Sequence, residues 1–389
     1  MRKLCVLQPI LSNYSRQTFL EMAAYCDVDI VFSPTPYGKG FGPVPTSPDP
    51  RVRYFVVPTL RPLGNRVGMI QWGVARHIIR HKPDAIIVSA DPRYLSFWTT
   101  LILAKLLGIP AHAHGHGVYR KSRIGAAYRL MISMLLRLVT TYVCYAPMVL
   151  DSFVRQGFGA QKLRVADNSL TNTCTVKPEE KEGSESGILF LGRLREDSDV
   201  EMLLRVLRKL RSEIAPLTLH VIGSGEREPF LRNEANESPW VIFHGESYDP
   251  ERIREISRSC CIGCYPGNAG LSVIHLMSLS LPVVTHDDLQ THGPEASFIR
   301  SGENGVLYDH RNREDSLYQV IRDLIVDRRA LANMQSLAFA TFQDLVNPPL
   351  AERIWAIVNA NRGNEQRLSS PEASWTVKPS IGRQPKGSK

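Results

Sequence analysis

The sequence predicts an α/β protein made of two consecutive parallel-sheet units. Short β-branched runs alternate with helix-period segments over residues 1–168, a polar stretch at 169–186 interrupts them, and the alternation resumes over 187–345. Repeated strand, helix, strand order of this kind favours parallel pairing with helices on both sheet faces. Two such sheets can offer their C-terminal strand ends to one crevice, where open α/β sheets hold their ligands.

In the first unit the order runs KLCVLQPIL as a strand, a helix around TFLEMAAYC, then strands VDIVFSP and RYFVVPTL. A helix from Met69 to His81, strand DAIIVSA, a helix from Tyr94 to Leu107 and strand PAHAH follow. Helices from Ile124 to Leu138 and from Pro147 to Gln156 flank strand TTYVCYA. The connection ADNSLTNTCTVKPEEKEGSES is polar, charged and broken by proline, as interdomain segments are. The second unit reads GILFLGRL, the helix VEMLLRVLRKLR, LTLHVIGSG, a helix after Glu226, WVIFHG, the helix ERIREISRS, CCIGCYP, a short helix at 272–279, PVVTH and GVLY. A helix over 346–362 is expected to return to the first domain, and the Ser-, Pro-, Gly- and Lys-rich tail at 363–389 is read as disordered.

The totals bound the function. At 389 residues, 43% hydrophobic and 22% charged, the chain has the composition of a globular protein with room for two domains. Its formal charge of +9 suits an acidic ligand or an anionic membrane surface. No zinc-finger spacing, RNP-like aromatic run or clustered recognition helix is present, so nucleic acid is not expected as a partner. The apolar start is broken by Gln8 and Pro9, and the apolar region from Leu130 is interrupted by Arg137, so neither a signal peptide nor a transmembrane helix is expected. Seven scattered cysteines, an odd count, fit reduced thiols and a cytoplasmic protein. Cys261 and Cys264 form a CxxC, but in a strand-like run rather than at the helix N-terminus that a redox pair uses.

The stretch GNAGLSVIHLMSLSLPVVTH at 267–286 carries the first candidate site. Gly267 and Gly270 precede a helix whose first amides lack intrahelical partners, and such amides attract an anion such as phosphate. On that helix Ser272, His275, Ser278 and Leu279 share one arc. The arc reads either as a solvated outer face or as part of a ligand site.

The segments GILFLGRL, LTLHVIGSGERE, VIFHGE, YPGNAGLSVIHLMSLSLPVVTH and GPEASFIRSGENGVLY resemble, in order and spacing, the nucleotide-sugar domain of family 4 of the GT-B glycosyltransferases. The resemblance is looser in the first half, at SADPRYLS, HGHGVYRK and VADNSL. It implies two Rossmann-like domains facing across a cleft, with a nucleotide-diphosphate sugar held by the second domain and the acceptor by the first. It assigns the donor diphosphate to the amides of Gly270, Leu271 and Ser272 and to Arg193, whose charge would stabilise the leaving group. No metal or other cofactor is implied. This sequence also departs from the family. The two glutamates usually spaced across the turn and helix are Gly267 and His275 here, leaving Asn268 and His275 to bond sugar or ribose hydroxyls. The usual lysine is Ser198, leaving Arg195 as its substitute, and SNYSRQ replaces the usual paired glycines after the first strand.

On the acceptor side, AHAHGHG sets His112, His114 and His116 at period two, so an extended chain points the three rings one way. Structural packing, zinc binding and acceptor chemistry are all compatible with that spacing. The position at a strand end favours the last, with His116 first and His114 second as acceptors of the acceptor hydroxyl proton. Asp91 either orients that partner or closes an Asp-Pro turn. Tyr119, Arg120, Lys121 and Arg123 suit an acidic or lipid-diphosphate acceptor, or form a solvated basic loop. The expected function is a retaining glycosyltransferase acting on a glycan or lipid-linked acceptor in surface polysaccharide or glycoconjugate synthesis, in the cytoplasm at the inner face of the membrane. A non-catalytic nucleotide-sugar-binding scaffold and a nucleotide-sugar epimerase of the same architecture remain the alternatives.

Overall fold

The computed structural model describes residues 2–34, 49–61, 68–170, 174–181 and 186–360. The 363–389 tail and parts of the 169–186 connection lie outside them.

The first domain contains β1 (Lys3–Gln8), α1 (Asn13–Glu21), β2 (Asp27–Phe32), β3 (Val52–Val56), β4 (Thr59–Leu60), β5 (Ile70–Gln71) and α2 (Val74–His81). It continues with β6 (Ala85–Ser89), α3 (Leu95–Leu106), β7 (Ala111–Gly115), α4 (Ala126–Leu138), β8 (Thr141–Cys144), α5 (Pro147–Arg155) and β9 (Leu163–Val165). Seven strands form one parallel sheet in the order β3-β2-β1-β6-β7-β8-β9, with β4 and β5 as a separate antiparallel ribbon. Because strand residues alternate faces, Cys5, Leu7, Ile86 and Val88 pack under α2 to α5, while Leu4, Val6, Ile87 and Val143 pack under α1.

The second domain contains β10 (Gly187–Leu191), α6 (Val200–Glu213), β11 (Thr218–Ile222), α7 (Glu228–Glu234), β12 (Val241–Gly245), α8 (Pro250–Arg258) and β13 (Cys260–Cys264). Then follow α9 (Ser272–Ser278), β14 (Val283–His286), β15 (Gly305–Tyr308), α10 (Arg313–Val326) and α11 (Arg328–Val346). Its parallel sheet runs β12-β11-β10-β13-β14-β15. Both strand orders reverse beside the first strand of the unit, which opens a crevice at the strand C-termini. The last helix, α12 (Leu350–Ala360), crosses back to the first domain, where Leu350, Ile354 and Val358 join the core beneath α1. Tyr25 stacks on Trp355 and bonds Glu352, and Arg353 bonds Ser169 at 2.9 Å.

One local expectation changes. The segment from Met69 is not helical at its start: Ile70 and Gln71 pair with β4, and Gly73 at φ 101° turns the chain before α2 begins at Val74. Few residues other than glycine adopt that conformation, so the helix cannot extend back through it. SNYSRQ, where the resemblance expects paired glycines, caps and opens α1: the Ser12 hydroxyl accepts the Ser15 amide at 3.2 Å. None of the seven cysteines is in a disulfide, and Cys261 and Cys264 are buried in β13. Among the described residues no helix is long and apolar enough to cross a membrane.

Candidate active site

A cavity of about 570 Å³ lies where the two domains meet, lined from the first by Ser12, Ser15, His114, His116, Arg120, Tyr145 and Asn168. The second domain supplies Arg193, Arg195, Tyr265, Asn268, Gly270, Leu271, Ser272 and Glu295. The loop after β10 and the turn before α9 thus face the end of β7, each at the C-terminal edge of its sheet.

Three amides of the glycine turn are bonded within the protein. Gly267 N–H donates to the Ser198 carbonyl at 3.1 Å and Asn268 N–H to the Asp197 carbonyl at 2.8 Å. Ala269 N–H donates to His292 Nδ1 at 2.9 Å, while the opposite ring nitrogen of His292 donates to the His286 carbonyl at 2.8 Å, which fixes a neutral tautomer. Those three amides are consumed in holding the turn. Gly270, Leu271 and Ser272 come next, line the cavity and have amides at the helix N-terminus with no carbonyl four residues back to serve. Gly267 is therefore corrected from a donor contact to a buried packing point beneath the 195–198 loop.

His275 is also corrected. It does not line the cavity, its Nδ1 is buried without a hydrogen-bond partner, and burial holds its pKa down to about 4. The arc that it shares is divided: Ser272 lines the cavity, while Ser278 and Leu279 are buried. Ser278 is fully buried and its hydroxyl donates to the Cys174 carbonyl at 3.2 Å, while Ser280 serves the Val176 carbonyl at 2.5 Å. These serines anchor the interdomain connection, because its buried carbonyls need donors.

Arg193 and Arg195 are exposed to the cavity, Arg195 paired with Asp197 at 3.2 Å. Ser198 faces inward and closes its own loop, its hydroxyl donating to the Arg195 carbonyl at 2.5 Å. The cationic side chains at this edge of the cavity are Arg193 and Arg195.

On the opposite wall His114 and His116 enclose the Tyr145 ring, at centroid distances of 4.3 and 4.7 Å. His116 opens to the cavity on one side, while the crowding domains and then the Arg120 charge hold its pKa down to about 4. His114 is buried and lower still, at about 3. Both are neutral near pH 7. His112 lies inside the sheet, away from the cavity, with neither ring nitrogen partnered, and the three rings do not form a metal cluster among the described residues. Asp29, His77 and His81 do approach one another, but the two rings stack at 18° with centroids 4.3 Å apart, so their in-plane lone pairs do not meet at one ion. Asp29 instead takes the Arg53 guanidinium at 2.6 Å.

Asp91 is not brought to the cleft: it holds Arg93 through paired contacts of 2.8 and 2.6 Å and closes the Asp-Pro turn. Tyr119 is buried, and its hydroxyl donates across the domain boundary to the His292 carbonyl at 2.5 Å. It is an interdomain strut rather than an acceptor contact. Arg120 remains in the cavity; Lys121 turns outward over the Tyr128 ring.

Glu295 is a residue that the sequence reading left without a role. It is 3% exposed, lies in the cavity wall, and accepts the Asn168 side-chain amide at 2.5 Å. Burial raises its pKa, against the Asn168 bond and the Arg120 charge. Both residues fall in segments that carry the family resemblance, GPEASF and VADNSL, yet only the fold makes them neighbours.

The buried imidazoles set an acid limit on the fold. His112, His275 and His286 are held near pKa 4 and His114 near 3, against 6.5 for the free side chain, each first by burial. The unfolded chain binds these protons more readily, so their stabilisation is complete above about pH 6.5 and is lost as the pH falls toward 4. Between pH 7 and 5 the loss should reach on the order of a few kcal/mol, seen as a fall in Tm of roughly 10 °C. A Tm that holds steady from pH 7 to 5 would contradict the burial of these rings.

Two parallel-sheet domains closing on a cleft, with arginines and a helix-terminal turn on one wall and histidines on the other, define the GT-B class of glycosyltransferase. Residues 11–169 match the glycosyl transferase 4-like domain and residues 185–327 the glycosyl transferases group 1. The chain belongs to the GT-B glycosyltransferase superfamily, and its activity is nucleotide-diphosphate-sugar-dependent glycosyl transfer. Similar solved structures include Anabaena HepE in complex with UDP, 14% identical with a TM-score of 0.68, covering 92% of this chain and 100% of that one. A glycosyltransferase from Rickettsia africae is 15% identical with a TM-score of 0.67, covering 93% and 99%. The apo form of the lipopolysaccharide outer core galactosyltransferase WaaB is 12% identical with a TM-score of 0.65, covering 92% and 100%. No curated protein sequence matches the chain.

Proposed function

We propose that the protein transfers a hexosyl group, with retention, from a nucleoside-diphosphate sugar to a glycan or lipid-linked acceptor in surface polysaccharide or glycoconjugate synthesis. The observation that carries this reading is the shared cavity, which sets Arg193 and the amides of Gly270, Leu271 and Ser272 opposite His116 and Arg120. The first group suits a diphosphate, whose charge grows as the glycosidic bond to it breaks. The acceptor oxygen bonds to the anomeric carbon on the face that the diphosphate leaves, as retention requires, and its proton passes to neutral His116 at the cleft. An imidazole of pKa about 4 is a weak base in the free protein, and the incoming diphosphate would strengthen it. The reading sets this work in the cytoplasm, in association with the inner face of the membrane.

Replacing Arg193 by alanine is expected to weaken donor binding or turnover by about 2 kcal/mol or more, the scale of a lost charged contact. An unchanged donor affinity and rate would remove Arg193 from the diphosphate site.

The deciding experiment is a panel of nucleoside-diphosphate sugars tested for binding and for slow hydrolysis without acceptor. UDP-glucose comes first, because similar HepE structures are described with UDP and UDP-glucose. Binding with release of free sugar supports transfer. Binding without turnover to water or to plausible acceptors would mark a scaffold, the reading that loss of both glutamates favours. An epimerised nucleotide sugar would mark an epimerase.

A further inference from the structure

Helices α2, α3 and α4 lie side by side over the same sheet face, and their outer surface is unlike the rest of the molecule. Of the exposed large apolar side chains among the described residues, eleven are in the first domain and five in the second. Ile79 on α2, Ile102 and Leu106 on α3, and Leu130 and Met134 on α4 face solvent, with Leu106 at 79% and Leu130 at 65% exposure. Leu130 and Met134 are one helical turn apart, as are Ile102 and Leu106, so each pair forms a stripe. A contiguous apolar face of this kind marks a contact surface.

Its charge is one-sided. Residues 92–150 contain seven lysines and arginines and not one aspartate or glutamate. The helices α2, α3 and α4 have no acidic residue, and exposed Arg76, Arg80, Lys105, Arg129 and Arg137 flank the apolar stripes. The next acid along the chain, Asp151, belongs to a separate hollow with Asp287 and Asp288. A protein partner would commonly answer basic residues with a few discrete carboxylates; an apolar surface set among cations over three helices fits a fluid apolar interior beneath anionic headgroups.

We propose that this face docks the protein on an anionic lipid bilayer. The face joins the cleft directly: the loop between β7 and α4 leaves the cavity at His116 and Arg120, turns outward through exposed Lys121 and Arg123, and enters α4. Docking would therefore bring the acceptor side of the cleft close to the headgroups. That purpose rests on the transferase reading, whereas the docking itself rests on the surface alone.

The test is sedimentation of the full chain with vesicles of phosphatidylcholine, with and without phosphatidylglycerol, at low and high salt. Binding is expected to the phosphatidylglycerol vesicles, to weaken as salt screens the cations, and to fall on the order of tenfold or more in a Leu106→Glu/Leu130→Glu variant. Both side chains are exposed, so the Tm of this variant should match the parent. Absence of binding to anionic vesicles would overturn the proposal, as would binding that the double variant leaves unchanged. A concentration-dependent dimer in sedimentation velocity, abolished by the variant and without vesicle binding, would assign the face to a second copy of the chain and overturn it equally. Donor hydrolysis in vesicle-free buffer reads the opposite domain and stays intact in the variant, so failure of docking and failure of the transferase reading are separable.

Discussion

Replacing His116 by alanine is expected to lower transfer to the acceptor by roughly 10²- to 10⁴-fold, the span of a lost general acid or base. Donor affinity should hardly change, because the diphosphate is assigned to the opposite wall, at Arg193 and the turn from Gly270. The cavity places this ring where both events are separable: it is open to the cleft, and its neighbours are Tyr145 and Arg120. A purely structural ring behaves differently. Its loss would lower Tm, and any fall in rate would follow the loss of folded protein. Measuring kcat and KM for donor and acceptor alongside Tm distinguishes the two, and normal transfer by a folded His116→Ala protein would pass the role to His114. His114 carries a separate expectation, since it is buried and its substitution disturbs packing as well as chemistry.

Placing a glutamate in the turn by Gly267→Glu, at the position where the family resemblance expects one, is expected to damage the protein rather than improve it. A Cβ at this position would sit 2.0 Å from the Asp197 carbonyl oxygen, and backbone cannot yield as a flexible side chain does. The Gly267 amide is also bonded to Ser198, so the turn and the 195–198 loop would separate together. Overpacking of this severity should cost about 3 kcal/mol or more, with Arg195 and the turn amides displaced from the diphosphate position. The measurement is Tm and donor affinity of the variant against the parent. A stable Gly267→Glu protein with tighter donor binding would show that the loop has room the structure denies it. The reason for the glycine is thus local: in this chain the loop after β10 occupies the space that a side chain at 267 would fill.

Glu295 brings a carboxylate to the cleft from a segment outside the glycine turn. It sits near Gly270, whose added Cβ would come within 3.8 Å of its Oε2, and it bridges to Asn168 from the first domain. It comes from a segment more than twenty residues beyond the turn, and linear spacing alone gave it no role.

The sequence by itself determined the architecture, because period-two and period-3.6 apolar patterns follow from backbone geometry and need no distant contact. The alternation before residue 168 and after 187 became two parallel sheets, and within the segment expected at 346–362 the helix Leu350–Ala360 returns to the first core. The anion-binding turn was legible for the same reason, since unpaired amides at a helix start are a local property. Tertiary structure decided which groups those local features meet. Local sequence left the arc of Ser272, His275 and Ser278 open between solvent and ligand; the fold divided it, with Ser272 at the cavity and Ser278 buried, where it answers a carbonyl of the interdomain connection. Period two aligned three histidines, but the end of β7 separated them, leaving His112 in the sheet and only His114 and His116 in the cleft. Tyr119 and Asn168 became contacts across the domain boundary through partners at His292 and Glu295. Such pairings join residues more than a hundred positions apart, and their energies depend on burial and direction that exist only once both domains have closed on the cleft.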